Sequence, residues 1–178
     1  MKIHIYLLSL IVALLTVLPV PGFGEEKDCF EIGVGAGTDL AGIGTKQLLL
    51  APAFSMPISP GGSLRARIEG DFEIIDYTKK TVFVGGIAPF LKLLPFGWNI
   101  NPFMEIGAGG NLITNKTIGD QHIGGPFMFS LMSGAGIETM INKTPISLSY
   151  RFRHLSNARI YKDNEGFNAQ YIMLSIGL

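Results

Sequence analysis

Residues 64–74 read Leu64-Arg65-Ala66-Arg67-Ile68-Glu69-Gly70-Asp71-Phe72-Glu73-Ile74 and alternate without a break. In an extended strand Leu64, Ala66, Ile68, Gly70, Phe72 and Ile74 share one face, and Arg65, Arg67, Glu69, Asp71 and Glu73 share the other. A soluble sandwich would turn the apolar face inward and leave the charges in water. A membrane barrel does the reverse, with lipid outside and a hydrogen-bonded polar interior. This stretch alone admits both; the number and length of its neighbours choose.

The same period of two recurs after residue 25, whereas helical periodicity does not. Eight candidate strands follow: Cys29–Thr38, Gln47–Met56, Ser63–Ile75, Thr81–Leu93, Asn101–Leu112, Gly125–Ile141, Pro145–Ser156 and Asn168–Leu178. Each exceeds the roughly five or six residues usual in soluble sheets. Each also reaches the roughly nine to eleven that a tilted spanning strand needs. An even number of antiparallel strands closes into a barrel with no unpaired backbone edge in lipid. The expected fold is all-β, an eight-stranded antiparallel transmembrane β-barrel of the outer-membrane type.

Composition agrees. The chain has 178 residues, 47% of them hydrophobic, with only 16% charged and 23 glycines. So apolar a chain is not intrinsically disordered. A helical membrane bundle is disfavoured, because only the N-terminal stretch holds an apolar run that approaches spanning length. Fourteen basic residues balance fourteen acidic ones, so no net charge draws the protein to nucleic acid.

Lys2 precedes an apolar run from Ile5 to Leu18, which Pro19 and Pro21 end before Gly22-Phe23-Gly24. Those are the three parts of a secretory signal peptide. The expected organisation is a signal peptide over residues 1–24 and one barrel domain over 25–178. Cys29 stands alone, so no disulfide framework forms.

Short turns at Met56–Gly62, Pro95–Ile100 and Asn142–Thr144 alternate with links that include the two longest, Ile113–Gly124 and Asn157–Phe167. Outer-membrane barrels have short periplasmic turns and longer outside loops, which puts both termini in the periplasm. The seventh strand then ends near the outer leaflet at Ser156. Trp98 and Phe96 suit an aromatic anchor at the periplasmic interface.

The seventh strand breaks its own pattern near that end. Ile146, Leu148, Tyr150 and Phe152 make its lipid-directed face, and alternation then places His154 and Ser156 on it. On the eighth strand the face of Ile172, Leu174, Ile176 and Leu178 runs back to Gln170 and Asn168. A strand that has simply left the membrane would carry such residues at no cost. Yet Ser and His two residues apart on one face can hydrogen-bond, the minimum for an activated hydroxyl nucleophile. Asn168 can approach the other imidazole nitrogen from the next strand, as in Cys-His-Asn sites.

His154-Leu155-Ser156-Asn157-Ala158, followed by Asn164-Glu165-Gly166-Phe167-Asn168, resembles the outer-membrane lipid A 3-O-deacylases, the PagL family. The resemblance covers about Tyr150–Leu178. It implies a serine esterase that removes the 3-O-linked acyl chain from the lipid A of lipopolysaccharide at the cell outer membrane. Ser156 would be the nucleophile, His154 the general base and Asn168 the third member, where the family pattern carries a glutamate. Asn157, Asn164 and Gly166, or backbone amides around them, would position substrate or stabilise the oxyanion. The implied partners are lipopolysaccharide and outer-membrane lipids, with no cofactor and no metal, and the protein a monomer or homodimer. A catalytically impaired or non-enzymatic barrel is the alternative. Phe152, Tyr150 and Ile172 could pack on acyl chains, and Lys116, Arg159 and Lys162 could meet headgroup phosphates.

Overall fold

The computed structural model describes residues 28–78 and 80–178, so the expected signal peptide lies outside the described residues. Among the described residues there are ten strands: β1 (Cys29–Asp39), β2 (Lys46–Pro57), β3 (Leu64–Tyr77), β4 (Lys80–Leu93), β5 (Ile100–Ile113), β6 (Thr117–Ile118), β7 (Gln121–His122), β8 (Phe127–Ile141), β9 (Thr144–Ser156) and β10 (Phe167–Gly177). Eight of them close a barrel in the order β1-β10-β9-β8-β5-β4-β3-β2. Every neighbouring pair is antiparallel, and β1 completes the ring on β10 from Glu31 opposite Gly177 to Asp39 opposite Ala169. No backbone edge is left open, as a sheet surrounded by hydrocarbon requires.

The eight expected strands are all present, with small differences at their ends. β8 begins at Phe127 instead of Gly125, because Gly124 turns the chain at φ +84° and Gly125 lies under the Tyr161 ring, where a Cβ would meet Cε2 at 2.2 Å. The link between β5 and β8 is not a bare loop: β6 and β7 pair into a small hairpin within it.

The reading of residues 64–74 holds residue by residue. Phe72 is 56% exposed on the outer wall, whereas Arg65, Arg67, Glu69, Asp71 and Glu73 are buried inside. The outer wall is apolar around the ring, with Leu131, Leu174 and Ile106 among its exposed residues. In water so large an apolar surface would aggregate; against lipid it is the stable face.

Inside, the charges pair. Arg151 binds Glu69 at 2.5 Å and Glu105 at 2.9 Å, while Arg67 binds Glu69 and reaches Glu105 at 3.1 Å. Arg153 binds Glu73 at 2.8 Å and Asn111 at 2.5 Å, and Lys92 binds Glu138. The Phe90 ring meets both guanidiniums, its centroid 4.7 Å from that of Arg151 and 5.5 Å from that of Arg67. Gly107 makes room for this ring, since a Cβ there would stand 2.6 Å from it. Such pairing is what allows ionised groups to stay buried.

Toward the end where β9 stops, the interior becomes apolar. Ile118 and Ile123 from the β6–β7 region are fully buried against Leu155, Phe167, Tyr171 and Val82. The small hairpin therefore caps the barrel. At the opposite end, where β1 begins and β10 stops, Phe96 and Trp98 stack with ring centroids 4.4 Å apart.

Candidate active site

Strand pairing sets the site. β9 and β10 are joined by the loop of residues 157–166, and their register puts His154 directly opposite Asn168. On β9 the inward residues Arg153 and Leu155 are buried, as is Asn157 just past its end, so the alternate residues His154 and Ser156 point outward. On β10 Asn168 and Gln170 point outward for the same reason, between buried Phe167, Ala169 and Tyr171.

The outward pair is joined. His154 Nδ1 lies 2.7 Å from Asn168 Oδ1. An amide oxygen only accepts, so with Oδ1 as the partner Nδ1 is the donor, and in the neutral ring Nε2 then holds the lone pair. Gly166, at φ +74°, lies beside the ring: a Cβ there would stand 3.1 Å from His154 Cε1 and 3.8 Å from Nε2. A side chain at 166 would therefore crowd the edge of the imidazole that carries the lone pair. Ser156 lies on the same face, two residues beyond His154 and opposite Phe129 of β8. Among the described residues no hydrogen bond yet joins Ser156 to His154. Contacts of this kind commonly tighten only when substrate binds.

The chain after Ser156 is held by Asn157. Its side-chain nitrogen donates to the carbonyls of Ile123 at 2.7 Å and Asp163 at 2.5 Å, and its Oδ1 accepts from the amide of Arg159 at 2.8 Å. Its backbone N–H donates to Asn164 Oδ1 at 2.9 Å. Ala158 and Arg159 both take positive φ, 49° and 66°, in a turn closed by the Ile160 amide on the Asn157 carbonyl at 2.9 Å. Positive φ at both central residues is unfavourable for side chains other than glycine, and the bonds of Asn157 hold the turn there. The β6–β7 hairpin adds a second brace: the His122 amide donates to Glu165 Oε2 at 2.5 Å, and the Glu165 amide donates to the His122 carbonyl at 3.1 Å.

The structure thus brings His154 and Asn168 into contact and sets Gly166 against the imidazole. It places Asn157 and Asn164 in the loop scaffold. Sequence reading missed the use of Asn157 as a brace and the tie from His122 to Glu165. The adjacent Gly124 and Gly125 were the available sign that another segment packs there. Lys116, Arg159 and Lys162 are exposed around this end of the barrel. Among the described residues no cluster of three or more His, Cys, Asp or Glu side chains could hold a metal.

The sequence model of the lipid A 3-O-deacylase (PagL) family matches residues 53–177, from within β2 to the end of β10. The chain belongs to the PagL family. His154, Ser156, Asn157, Asn164, Gly166 and Asn168 all lie in the matched region. Among solved structures, the outer membrane enzyme PagL is similar at a TM-score of 0.66 and 19% identity, covering 82% of this chain and 97% of that one. Neisserial surface protein A is similar at a TM-score of 0.53 and 11% identity, covering 85% and 94%. At these identities the likeness is one of fold, a closed outer-membrane barrel. No curated protein matches the chain. Membership of the PagL family makes lipid A deacylation the activity class and the outer membrane the location.

Proposed function

We propose that this protein is a serine esterase that removes the 3-O-linked acyl chain from lipid A, with Ser156 as nucleophile and His154 as general base. The observation that carries the reading is the 2.7 Å contact of His154 Nδ1 with Asn168 Oδ1 on the outer wall. It fixes the tautomer in which Nε2 can take a proton from Ser156. The Ser156 oxygen attacks the ester carbonyl as His154 accepts its proton. The tetrahedral intermediate collapses, and the sugar hydroxyl leaves with that proton. Water, deprotonated in turn by His154, then releases the fatty acid from Ser156.

The remaining polar residues serve this chemistry in different ways. Asn157 holds the turn after the nucleophile, and Gly166 leaves space for the imidazole. The side-chain nitrogen of Asn164 and the amide of Ala158, whose neighbours' amides are taken up within the turn, are the candidate donors to the oxyanion. Because the site faces outward, at the end of the barrel remote from the start of β1 and the end of β10, lipid A would reach it by lateral diffusion in the outer leaflet.

Asn168 carries no charge, so it orients the imidazole but stabilises its cationic form less than a carboxylate would. An impaired or non-enzymatic barrel is the reading that this residue favours. Mass spectrometry of lipid A from cells making equal amounts of inserted wild type or S156A separates the two. Loss of one 3-hydroxyacyl group with the wild type alone supports the esterase; unchanged lipid A in both, in a host whose lipid A carries the ester, supports the inert barrel.

A further inference from the structure

Across the ring from the β9–β10 seam, the outer wall has a hollow. The seam of β3 with β4 lies diametrically opposite in the strand order. There the register stacks three outward rows. Lys46, Asp76 and Thr81 stand side by side at the rim. This is the end capped by the β6–β7 hairpin, since neighbouring Tyr77 donates to the Thr117 carbonyl at 3.2 Å. Leu48, Ile74 and Phe83 form the row below, and Leu50, Phe72, Gly85 and Leu112 the next. Gly85 is the hollow: a Cβ there would meet no atom within 4 Å. Phe72 and Leu112 beside it and Phe83 above it wall an apolar groove of about 680 Å³. That size falls in the range of about 300–1,000 Å³ typical of small-molecule sites.

The rim above the groove is charged. Lys46 and Lys80 line one polar cleft with Asp76 and Thr81. Asp76 accepts a hydrogen bond of 2.7 Å from the Thr81 hydroxyl, whereas among the described residues neither ammonium group has a partner. Two cations against one carboxylate leave the cleft positive. Two residues along a strand advance about 6.6–6.8 Å, so Gly85 lies roughly 13 Å below the lysine row. A hollow in a wall surrounded by hydrocarbon costs its lining the contacts that a filling chain would make. Water gains no hydrogen bonds from such side chains, so an acyl chain is what fills it. The lysines select one whose headgroup carries phosphate.

We propose that cleft and groove together hold one molecule of lipid A as a resident ligand, with a phosphate at Lys46 and Lys80 and an acyl chain over Gly85. The cleft lies at the same end of the barrel as Ser156, in the leaflet from which the catalytic site takes its substrate. His154 and Ser156 are on the opposite wall, so this molecule is bound without being cut. The inference does not require Ser156 to be a nucleophile.

The test is native mass spectrometry of the full-length protein in detergent, titrated with a lipid A that lacks its 3-O-linked chains and so presents no ester to the proposed esterase. The wild type is expected to retain one molecule per barrel, and H154A to retain it equally. Affinity falls roughly tenfold to thirtyfold in the K46A/K80A double variant, and as much when the wild type is offered dephosphorylated lipid A. G85L, which fills the hollow, lowers it roughly tenfold. Gel migration with and without heating verifies that each variant is a folded barrel. No retention by the wild type, unchanged affinity in either the lysine variant or G85L, or equally tight binding of phosphatidylglycerol overturns the assignment. So does a dimer that G85L dissociates, which would make the hollow an interface between copies. Loss of the lipid in H154A would move it to the catalytic wall and overturn the inference as well.

Discussion

His154 on β9 and Asn168 on β10 are direct cross-strand partners whose side chains meet outside the barrel, Nδ1 2.7 Å from Oδ1. The partner is neutral. It holds the ring but offers no charge to the imidazolium that the proposed proton transfer from Ser156 would form.

Under the proposed mechanism Asn168 limits the rate without being dispensable. N168A removes the Nδ1 partner and is expected to lower kcat by about tenfold to a hundredfold, with little change in KM. N168E restores a carboxylate beside the ring and is expected to raise kcat by about tenfold, roughly 1.4 kcal/mol of transition-state stabilisation. Steady-state hydrolysis of purified lipopolysaccharide measures both. A slower N168E would show that the asparagine is matched to this site.

Gly166 is expected to be intolerant of a methyl group. At φ +74° a side chain costs about 1–2 kcal/mol in backbone strain. The added Cβ, 3.1 Å from His154 Cε1, also pushes the imidazole away from Ser156. Misplacement of this kind costs up to about a hundredfold in rate. G166A should insert and migrate as a folded barrel yet lose at least about tenfold in kcat.

Asn157 is fully buried and bonded through both ends of its amide. N157A leaves the carbonyls of Ile123 and Asp163 without their donor, at about 1–3 kcal/mol for each group left unsatisfied. The cost falls on the loop and not on the barrel wall. Limited proteolysis should cut N157A between residues 157 and 166 much faster than the wild type, while the heat-dependent gel shift stays.

Arg153 tests the interior. Fully buried, it binds Glu73 at 2.8 Å and Asn111 at 2.5 Å. R153M leaves Glu73 and Asp71 as uncompensated buried charges, and losing one partner of such a pair costs about 3–5 kcal/mol. Urea unfolding in lipid vesicles should report a loss of that size. A loss below about 1 kcal/mol would mean that water replaces the guanidinium.

Much of the barrel was legible in the sequence because a strand's period of two is a local property. The run from Leu64 to Ile74 declares both its lipid face and its interior face. The same counting carried His154, Ser156 and Asn168 onto the outer wall, where they are found. The hairpin of β6 and β7 was not legible, since strands of two residues each are too short to show a period. Nor was the tie from Asn157 to Ile123, which joins residues 34 positions apart through a backbone carbonyl that every residue type possesses. The place of Gly166 beside the imidazole depends on the path of the loop, which residue spacing does not specify.

Covalent trapping of the nucleophile tests the catalytic reading most directly. Active protein in detergent would be treated with a long-chain fluorophosphonate, followed for loss of lipid A deacylation, and mapped by peptide mass spectrometry. The expected result is inactivation in step with a single phosphonyl adduct on Ser156, with little labelling in H154A. Complete inactivation with the adduct on another residue, or an S156A variant that deacylates lipid A at the wild-type rate, would contradict it.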